Sequence, residues 1–507
     1  MLYPSLQQVK RLAKEYNRIP VYRELNIAEP GLLMVLKTMS SQSDVIFLES
    51  AISKKKQSRF SYLGFDPVKT IKYVPSSIII EEGEKTGEAG EDFFDFMNRS
   101  LEEYRSPTFP RYGTFNGGYA GYLGFGMVNY TDTLRKKKSE DSVHPLALMF
   151  YIDDFICYDN KKNTYHAATA IYPNDCQSIE DEYIRASRKL DALESKIIHE
   201  IGKTTVPYMP SQKESFDIRY RESSSEFMDK VERAKQLIRD GEALQVVLSI
   251  RADIMESTDP YRFYLKLRQV NPSPYMFYIK YRDLVVTGSS PEIHVKISGK
   301  QTKQRTIASN EEQGDKHHKN VRHKAMLLNN KKERAEHLML VDLARNDLAR
   351  IANPGSVQVS QFMQPEDYSH VIHLVSEVDA ILKDGMSTVD VLKSTFPAGT
   401  VSGAPKVRAI EIIDELEAHP RGIYSGAVGY LGFNGETDTC ITIRTGVFSN
   451  EESYIQAGAG IVYDSQPISE YHEIRNKLRA LAESLPYAKN SSNSKQERSE
   501  ERRVGKE

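Results

Sequence analysis

The alternation of apolar and polar positions along the chain predicts many short strands with helices between them. Residues 45–48, 77–80 and 244–249 are apolar, rich in β-branched side chains and bounded by turn residues, which is typical of strands. Ser223 offers a helix cap, apolar residues recur after it at helical spacing, and Gly241 ends the pattern. Long β-rich segments interrupted by such helices predict an α/β or α+β sandwich.

The length of 507 residues exceeds the size that one hydrophobic core usually supports, so we expect two domains. Residues 204–214 contain two prolines and a polar end, and they form the expected boundary. This gives an N-terminal domain over residues 1–205 and a second domain over residues 215–487. Residues 488–507 are polar and charged without an apolar period, which predicts a disordered tail.

Charge and cysteine content narrow the class of protein. A net charge of −2, with basic and acidic residues interspersed, gives no electrostatic reason to expect binding to nucleic acid or to an anionic membrane. The start of the chain lacks a basic region followed by an apolar run, and no segment is apolar for long enough to cross a bilayer. Cys157, Cys176 and Cys440 are scattered and lack metal-ligand spacing, which indicates a reducing compartment. These features favour a cytoplasmic enzyme that acts on a small molecule.

Residues 335–348 combine a broad apolar surface at helical spacing with several charged side chains. Burying a carboxylate is costly unless the group is paired or bound to a metal ion. One interpretation is a structural pair of Asp342 and Arg345 on neighbouring turns. The other interpretation makes Glu336 a ligand for a hard cation such as Mg²⁺.

A second acidic cluster follows the glycine-rich residues 457–460. Pro467 opens the predicted helix that carries it. On that helix Glu470 and Glu473 share one face, and Lys477 follows one turn later. A solvated surface helix would show the same pattern. Because one carboxylate seldom holds Mg²⁺ by itself, the two clusters together favour a shared metal site.

Three further features are candidates for binding. Residues 395–406 form a loop of small residues that leads into a helix, where free N–H groups, the Thr400 hydroxyl and Lys406 offer a place for an anionic group. An ordinary tight turn is the alternative. His373 and Arg444 are polar residues on apolar segments. A satisfied core residue is the usual explanation for such a His, whereas an Arg on a strand suits a carboxylate ligand.

Several of these segments resemble the chorismate-utilising enzymes, and within them the large subunits of anthranilate synthase. The similar strings cover most of residues 215–487 and include Gln245-Val246-Val247-Leu248-Ser249, Asn271-Pro272-Ser273-Pro274-Tyr275-Met276-Phe277 and Gly288-Ser289-Ser290-Pro291-Glu292. Near the N-terminus, Leu48-Glu49-Ser50 and Phe60-Ser61-Tyr62-Leu63-Gly64 are similar as well. The resemblance implies an antiparallel β-sandwich core with helices packed outside, and a regulatory or interaction role for residues 1–205.

The resemblance also implies an activity: a Mg²⁺-dependent lyase that converts chorismate and ammonia into anthranilate and pyruvate, the first step of tryptophan synthesis. It implies that Glu336 and Glu473 hold the metal ion, which clamps the ring carboxylate of chorismate. It also places Glu333 and Glu470 beside the metal ion as neighbouring acids, and Thr400 beside the ring. The residues that it assigns to catalysis are His373, Lys477 and Gln245. Those that it assigns to substrate binding are Ala308, Ser309, Tyr424, Arg444, Ala459 and Gly460.

Two positions select the nucleophile within this family. Relatives that use water carry Lys where this chain has Gln245, and aminodeoxychorismate synthases carry Lys where it has Ala308, so both positions favour anthranilate formation. The chain has no Gly-x-Cys-x-Gly motif for glutamine hydrolysis. A separate glutamine amidotransferase subunit is therefore expected to supply ammonia within a hetero-oligomer, in the form of a heterotetramer. The resemblance further implies a site for tryptophan as feedback inhibitor, formed by Glu49, Ser50, Asn271, Pro272, Tyr275 and Met276.

Residues 306–314 depart from the family. Where a Pro-Ile-Ala-Gly-Thr-Arg string is expected, this chain has Ser309 in place of Gly and Glu311 in place of Arg. Ser309 adds a side chain where the backbone approaches the substrate, and Glu311 reverses a charge. A catalytically impaired paralogue is therefore one alternative; an isochorismate or aminodeoxychorismate synthase is another, which Gln245 and Ala308 disfavour.

Overall fold

Two large antiparallel sheets form the centre of the computed structural model, which describes residues 2–27, 31–50, 59–75, 77–131, 142–201, 217–312, 317–367 and 371–485. The strands are β1 (Leu2–Tyr3), β2 (Ile19–Leu25), β3 (Val45–Glu49), β4 (Phe60–Phe65), β5 (Lys69–Val74), β6 (Ser77–Glu82), β7 (Lys85–Ala89), β8 (Gly118–Leu123), β9 (Ala147–Ile152), β10 (Phe155–Asp159), β11 (Thr164–Ile171), β12 (Ile218–Tyr220), β13 (Gln245–Ile254), β14 (Tyr275–Tyr281), β15 (Leu284–Ser290), β16 (Ile293–Ser298), β17 (Gln301–Glu312), β18 (Gln358–Asp367), β19 (Val371–Ile381), β20 (Gly403–Ala404), β21 (Ala427–Gly432), β22 (Thr437–Ile441), β23 (Thr445–Phe448) and β24 (Ser453–Ile461). The helices are α1 (Leu6–Leu12), α2 (Gly31–Gln42), α3 (Phe93–Glu102), α4 (Ile179–Ile201), α5 (Ser224–Arg239), α6 (Pro260–Val270), α7 (His317–Asn329), α8 (Lys331–Ala349), α9 (Thr388–Thr395), α10 (Gly399–Ser402), α11 (Lys406–Leu416) and α12 (Pro467–Ala482), with short 3₁₀-helices at Pro110–Tyr112 and Phe125–Tyr130.

The two sheets pack face to face. Sheet A has the order β1-β2-β11-β10-β4-β3-β14-β15-β23-β24-β13-β12, with β20 beside β13. Sheet B has the order β18-β19-β17-β16-β22-β21-β8-β9-β5-β6-β7. Aromatic and aliphatic side chains from both sheets share one core, among them Phe155 and Phe277 of sheet A and Phe150 and Val428 of sheet B. The predicted antiparallel β-sandwich is thus confirmed.

Helices cover the outer face of each sheet. On sheet A, α5, α6 and α12 bury apolar faces that include Val231, Leu267 and Ile474. On sheet B, α8 and α9 bury faces that include Leu348 and Leu392. The order of layers is therefore helix, sheet, sheet, helix, as predicted for helices packed outside the sandwich.

Helix α5 forms where the sequence pattern places it. The Ser223 hydroxyl accepts a hydrogen bond from the N–H of Glu226, and the Glu226 carboxylate accepts one from the N–H of Ser223, so both form a capping box. Phe227 and Val231 are buried on one face, and the helix stops before Gly241, which has a φ of +81°. Local signals are sufficient to define this helix because its cap and its apolar stripe agree.

Each sheet joins a block of strands from the first part of the chain to a block from the second part. In sheet A, β3 pairs with β14, with Glu49 opposite Met276. In sheet B, β8 pairs with β21, with Gly121 opposite Gly429. The expected boundary at residues 204–214 and the whole tail at 488–507 lie outside the described residues, so the division into two domains stays a prediction. The described residues on both sides of that boundary nevertheless pack in the same hydrophobic clusters.

Glycines in β8 permit close contact between strands. A Cβ atom on Gly118 would lie 2.2 Å from the carbonyl oxygen of Leu431, and one on Gly121 would lie 1.9 Å from that of Leu148. A side chain at either position would collide with the neighbouring backbone.

Within the described ranges, no helix is long and apolar enough to cross a membrane.

Candidate active site

The buried carboxyl group of Glu292 lies between β15 and β16. Only 6% of the residue is exposed, and Oε1 has no hydrogen-bond partner among the described residues. Burial raises the pKa of Glu292 to about 7, although a backbone hydrogen bond from Ile307, the Thr400 hydroxyl and the charges of Arg444 and Lys477 oppose the shift. A carboxylic acid with this pKa can donate a proton near neutral pH.

The sequence prediction gives Glu292 no role. The residue stands between Pro291 and Ile293, directly after the fully buried strand β15. An acid in that position is a signal of a buried carboxyl group, because the strand before it and the strand after it are both covered.

Thr400 faces Glu292 from the short helix α10. Its Oγ1 is buried and lies near enough to the Glu292 carboxyl to lower the pKa of that group. A cavity of about 320 Å³ opens beside Thr400, and its wall includes Leu340 and Leu343 of α8 and Thr306 of β17. A polar group of a ligand could satisfy the Thr400 hydroxyl here, which agrees with its predicted place beside the substrate ring.

Lys406 does not have the predicted role. Its Nζ donates to Asp347 Oδ2 of α8 at 2.7 Å and to the carbonyl oxygen of Thr395 at 3.1 Å, and both ionic groups are buried. The ammonium group is therefore occupied by the protein and is not a seat for an anionic ligand. Its contacts tie the loop that carries Thr400 to helix α8.

Gln245 and the glycines of β24 form another wall. A Cβ atom on Gly460 would lie 2.5 Å from Gln245 Nε2, and Oε1 of Gln245 is buried without a partner among the described residues. A Cβ atom on Gly458 would lie 2.9 Å from the hydroxyl of Tyr424. The side chain of Ala459 instead packs into the core behind sheet A, so only its backbone is available for the predicted substrate contact.

Lys477 connects α12 to this wall. Its Nζ donates to the carbonyl oxygen of Gly458 at 2.9 Å and pairs with Glu473 at 2.7 Å. Its charge also lowers the pKa of Glu292, so the two groups lie close together. The predicted pairing of Glu473 with Lys477 on one helix face is confirmed.

The predicted metal ligands lie on two helices that flank Glu292 and Thr400. Glu336 is one turn before Leu340 on α8, which packs on sheet B, and Glu473 is on α12, which packs on sheet A. Their neighbours Glu333 and Glu470 are on the same two helices. Across the described ranges, no three side chains of the His, Cys, Asp or Glu type converge. Mg²⁺ commonly takes one or two protein carboxylates and completes its shell with water and substrate, so one carboxylate from each helix would be enough.

Asp342 and Arg345 do not hold helix α8 in place. They form a 2.9 Å ion pair whose side chains are both more than half exposed, a geometry that contributes little to stability. The buried Asp347, paired with Lys406, anchors the helix instead. The sequence pattern identifies the helix correctly but assigns the wrong acid to its anchor.

His373 is buried on β19, with 4% of its surface exposed. Its neighbours Ile372 and Leu374 pack against Leu327 of α7, so His373 points to the opposite face of the strand. Its catalytic role stays a prediction. Ala308 and Ser309 lie on β17, where the pairing with β19 shifts between Ala308 and Glu311. Their side chains are outside the described part of the structure, but the departure from the family string coincides with an irregularity of the strand.

Four of the predicted tryptophan-site residues surround a separate cavity of about 430 Å³ between the sheets: Glu49, Ser50, Tyr275 and Met276. Aromatic rings, including Phe60 and Tyr430, form much of the remaining wall. Asn271 and Pro272 lie instead at the C-terminal end of α6, where Arg444 Nη1 donates to Asn271 Oδ1 at 3.3 Å. Asn271 thus touches a residue of the predicted substrate site.

Comparison with known proteins identifies the class that this fold and this site define. The family model described as chorismate binding enzyme matches residues 48–483. The chain therefore belongs to the chorismate-binding enzyme family. It is similar to "Anthranilate synthase component 1" of Acetivibrio thermocellus, with 37% identity over 96% of this chain and 99% of the relative.

Two further relatives bear on the activity. The crystal structure of anthranilate synthase component I from Streptococcus pneumoniae TIGR4 superposes with a TM-score of 0.73 at 32% identity, and covers 85% of this chain and 94% of that one. "Aminodeoxychorismate synthase component 1" of Bacillus subtilis (strain 168) is 36% identical over 89% of this chain and 93% of the relative.

Proposed function

We propose that the protein is the large subunit of an anthranilate synthase. It converts chorismate and ammonia into anthranilate, pyruvate and water. The observation that carries this proposal is the buried acid Glu292, whose pKa is about 7, beside Thr400 and the cations Arg444 and Lys477. Relatives named for this activity that match nearly the whole chain support it.

The reaction requires a proton donor and two anion-binding groups. Ammonia adds to the chorismate ring, the ring double bonds shift, and the ring hydroxyl leaves as water with the proton of Glu292. The aminated intermediate then loses a ring proton, and the bond between the ring carbon and the enolpyruvyl oxygen breaks. The released enolpyruvate takes up a proton at its methylene carbon to become pyruvate, and the ring becomes aromatic. Arg444 and the backbone at Gly460 bind the enolpyruvyl carboxylate, and Tyr424 lies beside them. Their fixed positions stabilise negative charge without reorganisation.

We further propose that Glu336 and Glu473 hold Mg²⁺. Bound there, the ion supplies positive charge that neutralises the ring carboxylate of chorismate. The two carboxylates lie on α8 and α12, and Glu473 pairs with Lys477 at 2.7 Å. Glu333 and Glu470 add negative charge nearby, which favours a cation.

Substitution of Glu336 by Ala should weaken metal binding. Because one of the two proposed protein ligands of the metal ion is lost, the Mg²⁺ concentration that gives half-maximal activity should rise at least about 100-fold. Calorimetric titration of Mg²⁺ in the presence of chorismate should show the same loss of affinity. Asp342→Ala is the matched control, since it removes an exposed carboxylate from the same helix. Equal metal affinity in Glu336→Ala and in Asp342→Ala would contradict the assignment.

We also propose that the ammonia comes from glutamine through a separate amidotransferase subunit, and that tryptophan inhibits the enzyme. The cavity between the sheets suits tryptophan because it combines aromatic walls with the carboxylate of Glu49, which matches an indole ring and an ammonium group. The relatives are named "component 1", which supports the existence of a second component.

The direct test is an activity assay on the purified protein. With chorismate, Mg²⁺ and an ammonium salt, we expect anthranilate fluorescence to develop. Glutamine should replace the ammonium salt only after a glutamine amidotransferase subunit is added. Isochorismate or an aminodeoxychorismate, separated by chromatography, would identify one of the alternative activities, which Gln245 and Ala308 disfavour. If chorismate is bound but not consumed, the protein is a catalytically impaired relative.

A further inference from the structure

Arg444 is held in an unusual conformation by two neighbours. Its φ of +52° is in the left-handed region, which residues other than Gly adopt rarely. Its carbonyl oxygen accepts a hydrogen bond from the N–H of Ser289 at 3.1 Å, and its Nη1 donates to Asn271 Oδ1 at 3.3 Å. The Ser289 hydroxyl in turn donates to the carbonyl oxygen of Asn271 at 2.5 Å. The backbone and the guanidinium of Arg444 are thus both fixed relative to Asn271.

Asn271 ends a helix whose other contacts reach the separate cavity. Tyr264, Arg268 and Asn271 lie four and three residues apart, so they share one face of α6 and its C-cap. The Tyr264 hydroxyl donates to Glu49, and Arg268 Nε donates to both carboxylate oxygens of Glu49, at 2.8 and 2.9 Å. Glu49 lines the cavity of about 430 Å³ between the sheets. One face of α6 and its C-cap therefore contacts Glu49 through Tyr264 and Arg268, and contacts Arg444 through Asn271.

We propose that Asn271 is a positioning residue that orients the Arg444 guanidinium, and that α6 couples this orientation to the contacts of Glu49. The inference rests on the proposed function, in which Arg444 binds the substrate carboxylate. A ligand with an ammonium group in the cavity would compete with Arg268 for Glu49. The hydrogen bond between Asn271 and Arg444, on the same face of α6, would then change, and the affinity of Arg444 for the carboxylate of chorismate would fall.

Substitutions at Asn271 test the first part. Asn271→Ala removes the acceptor for a charged donor, so the KM for chorismate should rise about tenfold while kcat changes by less than about threefold. Asn271→Asp keeps an oxygen in place but adds a negative charge that competes with the substrate carboxylate for Arg444, so its KM should also rise. Asn353→Ala is the matched control: the Asn353 side chain donates to the carbonyl oxygen of Leu382 at the edge of sheet B, and its KM should equal that of the parent.

A double variant separates positioning from a general structural effect. If Asn271 acts through Arg444, Asn271→Ala should add little to the loss caused by Arg444→Lys. Full additivity of the two effects would overturn the proposal. An unchanged KM in Asn271→Ala, with the parent protein active, would also overturn it. If the parent protein binds chorismate but makes no anthranilate, the proposed function fails while this proposal can still be tested. The affinities of the parent and of the variants for chorismate are then compared by calorimetry.

Tryptophan is the probe for the second part. The Asn271→Ala variant should still bind tryptophan, measured by calorimetry, with an affinity within about threefold of the parent, but tryptophan should no longer raise the KM for chorismate. Loss of tryptophan binding in Asn271→Ala would make Asn271 part of the inhibitor site and would overturn the coupling. Persistent inhibition with parental strength would overturn it as well.

Discussion

Substituting Glu292 with Gln should lower kcat by about 10² to 10⁴, the usual contribution of a positioned general acid. Gln has the same shape and fills the same buried site, but it has no acidic proton to give to the leaving hydroxyl. The pKa of about 7 predicts the pH profile of the parent enzyme: kcat/KM should be constant below pH 7 and fall tenfold per pH unit above it, because the active form is the protonated one. In Glu292→Gln this decline should be absent from the remaining activity.

Stability gives a second measurement on the same variant. The ordinary pKa of a Glu carboxyl is 4.5, so between pH 4.5 and about 7 the unfolded chain loses this proton while the folded protein keeps it. Glu292 therefore contributes stability that is complete below pH 4.5 and is lost as the pH rises through 7, on the order of 3 kcal/mol in total. Urea unfolding of Glu292→Gln should lack that part of the pH dependence.

A matched control for Glu292→Gln is Glu436→Gln. Glu436 is also buried, and its carboxylate accepts hydrogen bonds from Ser298 and Gly299 at the far end of β16. Its substitution should leave kcat and the decline of kcat/KM above pH 7 unchanged. A Glu292→Gln variant with the parental kcat and the parental pH profile would show that another group supplies the proton.

Substituting Arg421 with Met should destabilise the protein by about 3 to 5 kcal/mol, because it leaves a buried partner charge alone. Arg421 and Glu417 form a 2.7 Å ion pair with side chains that are 1% and 7% exposed. Arg421 also donates to the carbonyl oxygens of Val401 and Val247 at 2.7 and 2.6 Å. Glu417 in turn accepts two hydrogen bonds from Ser249. The loss should appear as a lower urea midpoint for unfolding.

The ion pair of Arg421 and Glu417 lies behind the candidate active site, so its loss should also lower activity. Val401 follows Thr400, and Val247 lies opposite Gly460 in sheet A, so Arg421 supports two walls of the site from behind. Arg345→Met is the control, since it removes an Arg from an exposed ion pair and should change the unfolding free energy by less than about 1 kcal/mol. A similar urea midpoint in both variants would contradict the assignment. The double variant Arg421→Met with Glu417→Gln should recover part of the loss, because no buried charge then remains unpaired.

The sequence predicts those parts of the fold that depend on neighbours along the chain. Helix α12 begins at Pro467 and carries Glu473 and Lys477 on one face, as expected from spacing alone. The strands around Val45 and Gln245 are also found. These elements follow from local rules: a cap or a proline sets the start, and the period of the apolar residues sets the type.

The misread residues are those whose partners are distant in sequence. A cation after a loop of small residues usually serves an anionic ligand, but Lys406 is neutralised by Asp347 from another helix. Nothing within a few residues of Lys406 predicts that contact. The pKa of Glu292 likewise depends on burial beneath strands and loops that come together only in the folded protein. The chemistry of a site is therefore harder to predict than its residue types, because desolvation is a property of the tertiary structure.

The pairing of a strand from the first part of the chain with one from the second part, in each sheet, has a consequence for synthesis. Strand β3 finds its partner β14 only after more than two hundred further residues have been made, since Glu49 pairs with Met276. Until then, one backbone edge of β3 has no partner and can join a wrong strand. Such long-range pairing predicts slow folding that is completed after translation. Truncated chains that end near residue 205 should therefore aggregate during expression rather than accumulate as a soluble module.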